Sequence, residues 1–195
     1  MRPAPHHSLR LLAWRAAALL ACATVPWLPR ASGQAMNEAM LKIQFMHYVA
    51  QYSAWPSDVL PATEKRFVIG VLGENTFGGA LEDYFRGKTV KKRAFFIRFY
   101  KSVEEIKDKD CQMLFISSSE KSDFGPILSE LEGKSILTIS DSDGFIQKNG
   151  MIFMYITVKS EISGGYGWDI NQQALKKAKL QIDPFFIEKA KKPNR

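Results

Sequence analysis

A chain of 195 residues, 46% hydrophobic and 24% charged, is long enough to bury one sizeable core and too mixed to be a low-complexity or fibrous protein. Its formal charge of +7 invites a nucleic-acid partner, but Arg2, Arg10, Arg15 and Arg30 fall in residues 1–35 with no acid beside them, leaving 23 basic against 20 acidic side chains in the remainder. That balance gives no electrostatic footprint for a nucleic acid, and the reading is set aside.

The N-terminus has the parts of a secretory signal peptide, residues 1–35. Arg2, Arg10 and Arg15 make a positive n-region, Ala16–Leu28 an apolar h-region, and Gly33-Gln34-Ala35 offers small residues for cleavage. A cut after Gly33, using Ala31 and Gly33, competes with it. The apolar run is too short for a comfortable membrane span. Leu19-Leu20-Ala21-Cys22 raises a rival, a lipoprotein anchored at Cys22. Leu20 fits that box poorly and Arg15 leaves only six apolar residues before Cys22, so a cysteine in a discarded h-region is preferred. Processing then leaves Cys111 alone, which rules out an intrachain disulfide. It opens the apolar run Cys111-Gln112-Met113-Leu114-Phe115-Ile116, the setting of a buried, inert thiol.

From Met36 to Ser53 the spacing of Ile43, Phe45, Met46, Val49 and Tyr52 predicts an amphipathic helix, with Asn37 as cap and His47 on the polar stripe. It should end at Trp55-Pro56. After a loop over residues 57–66, Phe67-Val68-Ile69-Gly70-Val71-Leu72 reads as a strand apolar on both faces, turning at Gly73 into a helix carrying Phe77, Ala80, Leu81, Tyr84 and Phe85. This βα unit is the one around which the chain is organised. A basic turn, Lys91-Lys92-Arg93, leads into a strand over 94–100. A short helix over 102–109 follows, with Ser102 and Glu105 as a capping box. A second βα unit comprises strand 112–116, the Ser117-Ser118-Ser119 loop and a helix over 120–131 that Pro126 should kink or split. A third strand, 135–139, runs into Ser140-Asp141-Ser142-Asp143-Gly144. Asn149-Gly150 marks a turn before strand 151–158. Strand 166–170, a helix from 171 to 179 capped by Asn171, a short strand at 180–182 and a last helical turn over 184–190, with Phe185, Phe186 and Ile187 packing inward, complete a single α/β domain over 36–190. Residues 191–195 form a frayed basic tail. The expected fold is a mostly parallel central sheet with helices on both faces and a C-terminal antiparallel hairpin.

Reactive chemistry is scarce. Gly73-Glu74-Asn75-Thr76-Phe77-Gly78 meets the first half of a P-loop, and then Gly79-Ala80 removes both its lysine and its hydroxyl. Asp141-Ser142-Asp143-Gly144 opens like a calcium loop, but its glycine comes too early and Ile152 stands where the bidentate glutamate belongs. With one histidine and one cysteine left after processing, neither a zinc cluster nor a nucleophilic triad can be assembled. The expectation is therefore no catalytic residue, no metal and no cofactor. By the open-sheet rule a small ligand or anion would sit where the loops gather at the C-terminal edge of the sheet, on Glu74, Asn75, Ser117, Ser118, Asp141 and Asp143.

The ordered set Tyr52-Ser53-Ala54-Trp55-Pro56, Phe67 to Gly73 with Phe77-Gly78, Gly87-Lys88 with Val90, Cys111 with Leu114-Phe115-Ile116-Ser117, Leu137 to Asp141 with Gly144-Phe145, Gly150-Met151-Ile152 and Ile170-Asn171 resembles the YfiR-like family of small exported bacterial proteins. The likeness runs from about Ala39 to Ala190. It implies a periplasmic, non-enzymatic α/β domain, often a homodimer, that represses an inner-membrane diguanylate cyclase through the cyclase's periplasmic region and so restrains cyclic-di-GMP synthesis. It further implies a signalling partner of that kind or a sensor kinase, and an outer-membrane lipoprotein able to sequester the repressor. Redox control through paired cysteines, found in some relatives, has no counterpart here. The glycine-rich Ser163 to Asp169 and the ending Pro184-Phe185-Phe186 also depart from the family pattern. For surface contact the aromatics Tyr166 and Trp168 and the first helix are the candidates. The competing reading is a periplasmic small-ligand or anion binder using the loop edge.

Overall fold

Both faces of the strand Arg66–Leu72 carry apolar side chains, so it must be covered twice, and the computed structural model shows how. Residues 31–107, 109–158 and 164–190 are described. In chain order the elements are α1 (Ala31–Tyr52), β1 (Ser53–Ala54), β2 (Arg66–Leu72), α2 (Ala80–Phe85), β3 (Thr89–Val90), β4 (Arg93–Tyr100), β5 (Met113–Ile116), α3 (Phe124–Glu130), β6 (Leu137–Ser140), β7 (Ile152–Val158), β8 (Gly164–Ile170), α4 (Gln172–Lys177), β9 (Gln181–Ile182) and α5 (Pro184–Lys189). Residues 1–30, the greater part of the signal peptide expected over 1–35 and Cys22 with it, and the tail 191–195 lie outside the described residues.

The main sheet has the order β3-β4-β2-β5-β6-β7-β8. From β4 through β7 every pairing is parallel, while β3 and β8 close the two edges as antiparallel hairpin partners. This is the mostly parallel sheet with a C-terminal hairpin that the sequence predicts. Phe67, Ile69, Val71, Met113, Phe115, Leu137 and Ile139 face a core built with α1, α2, α4 and α5. Leu72, Leu114 and Ile116 face the second core, against α3, Ile106 and Phe145. On that second face β6 presents Thr138 and Ser140. Both are buried and both are satisfied: Thr138 Oγ1 accepts from Met151 N–H (3.1 Å) and Ser140 Oγ donates to the Ile116 carbonyl (2.8 Å).

A separate two-stranded ladder ties the chain ends together, with Ser53 opposite Ile182 and Ala54 opposite Gln181. Asp183 N–H donates to the Tyr52 carbonyl (2.8 Å), so α5 is pinned to the end of α1. Trp55 anchors the next turn by donating from Nε1 to the Gln112 carbonyl (2.9 Å) while its ring meets Phe67 edge-on.

Several expectations are corrected. α1 begins at Ala31, ahead of Asn37, so Asn37 lies inside the helix. The stretch after Ser102 is one 3-10 turn, Val103–Glu105, because Glu105 reaches past Ser102 to accept from Lys101 N–H (3.0 Å) and the capping box never closes. The helix of the second βα unit is split: a 3-10 segment over Ser118–Asp123 precedes α3, and Pro126 falls in the first turn of α3, where its missing N–H costs nothing. Asn149 adopts the left-handed region (φ 73°) to end a 3-10 turn, so the Asn149-Gly150 pair makes a crossover turn into a parallel strand. At the C-terminus only Phe186 is fully inside; Phe185 is 48% exposed and Ile187 half-buried.

Candidate functional site

The chain leaves β2 for β4 on one side and returns to β5 on the other, so the sheet reverses direction between β2 and β5. In open α/β sheets the crevice beyond the C-terminal ends of such strands is where ligands bind. The predicted residues do share this edge: Glu74 and Asn75 follow β2, Ser117 and Ser118 follow β5, and Asp141 and Asp143 follow β6.

Their polar groups are largely turned on one another. Glu74 N–H donates to Ser119 Oγ (3.0 Å), which in turn donates to Glu120 Oε1 (2.9 Å). Gly73 makes this approach possible, since it sits at φ 87° and a Cβ there would lie 2.5 Å from Ser119 Oγ. Asn75 closes the 76–79 turn from both ends, accepting from Phe77 N–H (3.0 Å) and donating to the Gly78 carbonyl (3.1 Å). α2 itself starts only at Ala80, so Asn75 holds the turn ahead of the helix. Phe77, 4% exposed, drops into the crevice and meets Phe115 edge-on at 4.9 Å. Ser117 is buried and caps the following 3-10 segment; Ser118 is exposed. Ser119, whose hydroxyl links the first two loops, was missed by sequence reading, because nothing in a run of three serines says which will bridge.

The third loop faces α1. Lys42 Nζ lies 2.6 Å from Asp141 Oδ2 and 2.7 Å from Glu38 Oε1, and Lys42 is 8% exposed. Burial opposes the charge on Lys42, but the two carboxylates outweigh it and its pKa is raised above the ordinary 10.5. Asp141 Oδ1 is buried with no hydrogen-bond partner among the described residues. Asp143 points outward and is exposed. The edge thus gathers the first two loops into one hydrogen-bonded group and ties the third to the N-terminal helix.

Two further groups bear on chemistry. Cys111 is buried, and that burial pushes its thiol up to about 12, which leaves it protonated at neutral pH. His47, expected as a solvated surface residue, is half-buried instead among the rings of Tyr84, Phe85 and Phe95. Nδ1 is 3.1 Å from Tyr84 Oη, and Nε2 takes a hydrogen bond from Gln51 Nε2 (3.1 Å). Burial, and after it the charge of Lys88, holds the His47 pKa below 6.5. The unfolded chain therefore takes up a proton here at a higher pH than the folded one, and stability falls as pH drops below about 6.5. Urea midpoints at pH 7.5 and pH 5 are expected to fall further for the wild type than for His47→Gln.

Of the expected contact aromatics, Trp168 is 8% exposed and stacks on Phe186 at 4.7 Å, and Tyr166 is half-buried against Phe45 at 5.1 Å. The inner face of α1, with Ile43, Phe45, Met46 and Val49 fully buried, is occupied by the core. The large exposed apolar side chains among the described residues are Phe96, Phe99 and Phe185. The family model described as YfiR/HmsC-like matches residues 39–191. No curated protein matches the chain.

Proposed function

This chain belongs to the YfiR/HmsC-like family, and from that premise we propose that it restrains an inner-membrane diguanylate cyclase by binding the cyclase's periplasmic region. It is a regulatory periplasmic protein of that family, and no helix among the described residues is long and apolar enough to cross a membrane. Residues 1–35 direct export and are removed, 36–190 form the working domain, and 191–195 are a basic tail. The protein acts as a homodimer, without catalysis, and an outer-membrane lipoprotein is the partner that relieves repression. Mechanistically the bound protein favours the inactive arrangement of the cyclase, a population shift set by its preference for that arrangement.

The family match over nearly the whole domain carries this reading. A buried thiol raised to about 12 and a histidine fixed among aromatic rings support it, since neither is set to act on a substrate. Affinity capture from detergent-solubilised inner membranes tests it. The expected prey is a diguanylate cyclase or sensor kinase with a periplasmic domain; retention of neither would overturn the reading.

A second reading has one observation behind it: Glu74, Asn75, Ser118 and Asp143 are all exposed along one edge of the sheet, next to Ser117 and Asp141. A small anionic or zwitterionic ligand held there would raise the unfolding temperature with ligand concentration. A melting point unmoved by amino acids, nucleotides and inorganic anions would remove it.

A further inference from the structure

α3 is seven residues long and α4 six, and the two helices do not close over Thr138 in the middle of β6. A cavity of about 280 Å³ lies between α3, the 3-10 turn Ile146–Lys148 and α4. Small residues leave this space: Thr138, Ala174 and Ala178 line it, and a Cβ placed on Gly125 would meet nothing within 4 Å. Leu128, Leu131 and Met151, all buried, give it an apolar wall. The Thr138 hydroxyl, 1% exposed, accepts from Met151 N–H (3.1 Å) but donates to none of the described residues. A buried donor of this kind calls for an acceptor. The walls are fixed in advance. Ser135 Oγ donates to the Ala178 carbonyl (2.7 Å) and holds the end of α4 beside the start of β6, while Lys177 Nζ stands 2.7 Å from Glu132 Oε1 and ties α4 to the end of α3. On the third side Gly150 N–H donates to the Phe145 carbonyl (2.9 Å), and the Phe145 ring lies so close that a Cβ at Gly150 would be 2.3 Å from it. A site formed before its ligand arrives binds at little ordering cost.

We propose that this cavity binds a small organic monoanion, a carboxylate carried on a compact apolar body. Charge at the rim selects the sign. Glu132 is the one carboxylate side chain among the lining residues, and Lys177 already neutralises it. Lys148, on the lip made by the 3-10 turn, pairs with no carboxylate among the described residues, so the rim carries one spare positive charge. Volume sets the size. A dry cavity of about 150 Å³ takes benzene, so one of about 280 Å³ has room for about ten non-hydrogen atoms. The apolar body lies against Leu128, Leu131 and Met151. One carboxylate oxygen accepts from the Thr138 hydroxyl and the other from the Lys148 ammonium, whose flexible stem reaches in from the lip. The cavity shares no lining residue with the loop edge of Glu74, Asn75, Ser117, Ser118, Asp141 and Asp143, so the inference stands apart from both readings above.

Calorimetric titration of the purified protein with phenylacetate and octanoate, two carboxylates of about that size, tests it. At least one is expected to bind once per chain with a Kd of about 0.1–1 mM, the range for a well-placed ligand this small. Its neutral amide should bind about fivefold more weakly, and the matching amine more weakly still. Lys148→Met is expected to weaken the carboxylate about fivefold and leave the amide unchanged, whereas Glu132→Gln, which releases Lys177, should tighten the carboxylate several-fold. Both side chains are exposed, so the fold is kept. In the wild type the methyl NMR signals of Leu128 and Met151 should move as the carboxylate is added. No saturable binding of either carboxylate overturns the proposal. So does equal binding of the amide, unchanged affinity in either variant, or binding that leaves those methyl signals in place. Should a variant fail to fold, the ligand series and the methyl signals of the wild type decide.

Discussion

Phe186→Ala is expected to lower the free energy of unfolding by about 3–5 kcal/mol, the range for truncating a fully buried phenylalanine. The ring is 0% exposed and touches four others: Trp168 at 4.7 Å, Tyr48 at 5.4 Å, Tyr52 at 6.1 Å and Phe45 at 6.2 Å. Those rings come from α1 and β8, so the residue joins the two ends of the domain. Apart from it, α5 is a six-residue helix held by the Asp183 cap and by the short β1–β9 ladder. A helix of that length has no stability of its own. Phe185→Ala, one residue away and 48% exposed, is the control and should change stability by no more than about 0.5 kcal/mol. Urea unfolding with a common slope measures both. A cost below about 1 kcal/mol for Phe186→Ala would mean that the C-terminal helix is not part of the core.

Lys42→Met is the second large effect, expected to cost about 3 kcal/mol. The methionine fills the same space, but it leaves Asp141 with neither of its carboxylate oxygens paired, since Oδ1 already lacks a partner among the described residues. The loss sits at the low end for a broken buried pair because the Asp141 side chain keeps 19% of its exposure. Replacing both residues, Lys42→Met with Asp141→Leu, should recover most of the loss, and the coupling between the two changes is read from the cycle. The pH dependence is diagnostic as well. Because the folded-state pKa of Lys42 is raised, its contribution is complete below the ordinary 10.5 and disappears as pH rises through the folded value. The wild type should therefore weaken more steeply than Lys42→Met in alkali.

Much of this fold is legible in the sequence because its central strands carry a strong signal. β2 and β5 read as continuous apolar runs bounded by Gly73 and Ser117, and such runs fit only strands covered on both faces. Caps with one local partner were also readable: Asn171 accepts from Ala174 N–H (3.0 Å), as its place before α4 suggests. Decisions made by distant residues were not readable. Lys42 lies on a stripe of α1 that periodicity leaves ambiguous, and only the packing of α1 against the end of β6 shows that it neutralises Asp141. His47 was assigned to solvent by helical spacing, yet α2 and β4 bring three rings around it. At one aromatic the assignment reversed. Trp168 in a glycine-rich stretch reads as a surface residue and is buried, while the large exposed rings include Phe96 and Phe99, in a strand that the sequence places without saying which of its faces is covered. Strand alternation gives the face of each side chain; whether a helix covers that face at the sheet edge is set by topology alone.

The most direct test of the regulatory account is the cyclic-di-GMP content of cells that carry or lack the gene for this chain. Deletion is expected to raise the nucleotide several-fold. Re-expression of the full chain should restore it, while a version without residues 1–35 should not. Equal levels in the two strains, or full restoration by the leaderless form, would contradict a periplasmic repressor acting on a membrane cyclase.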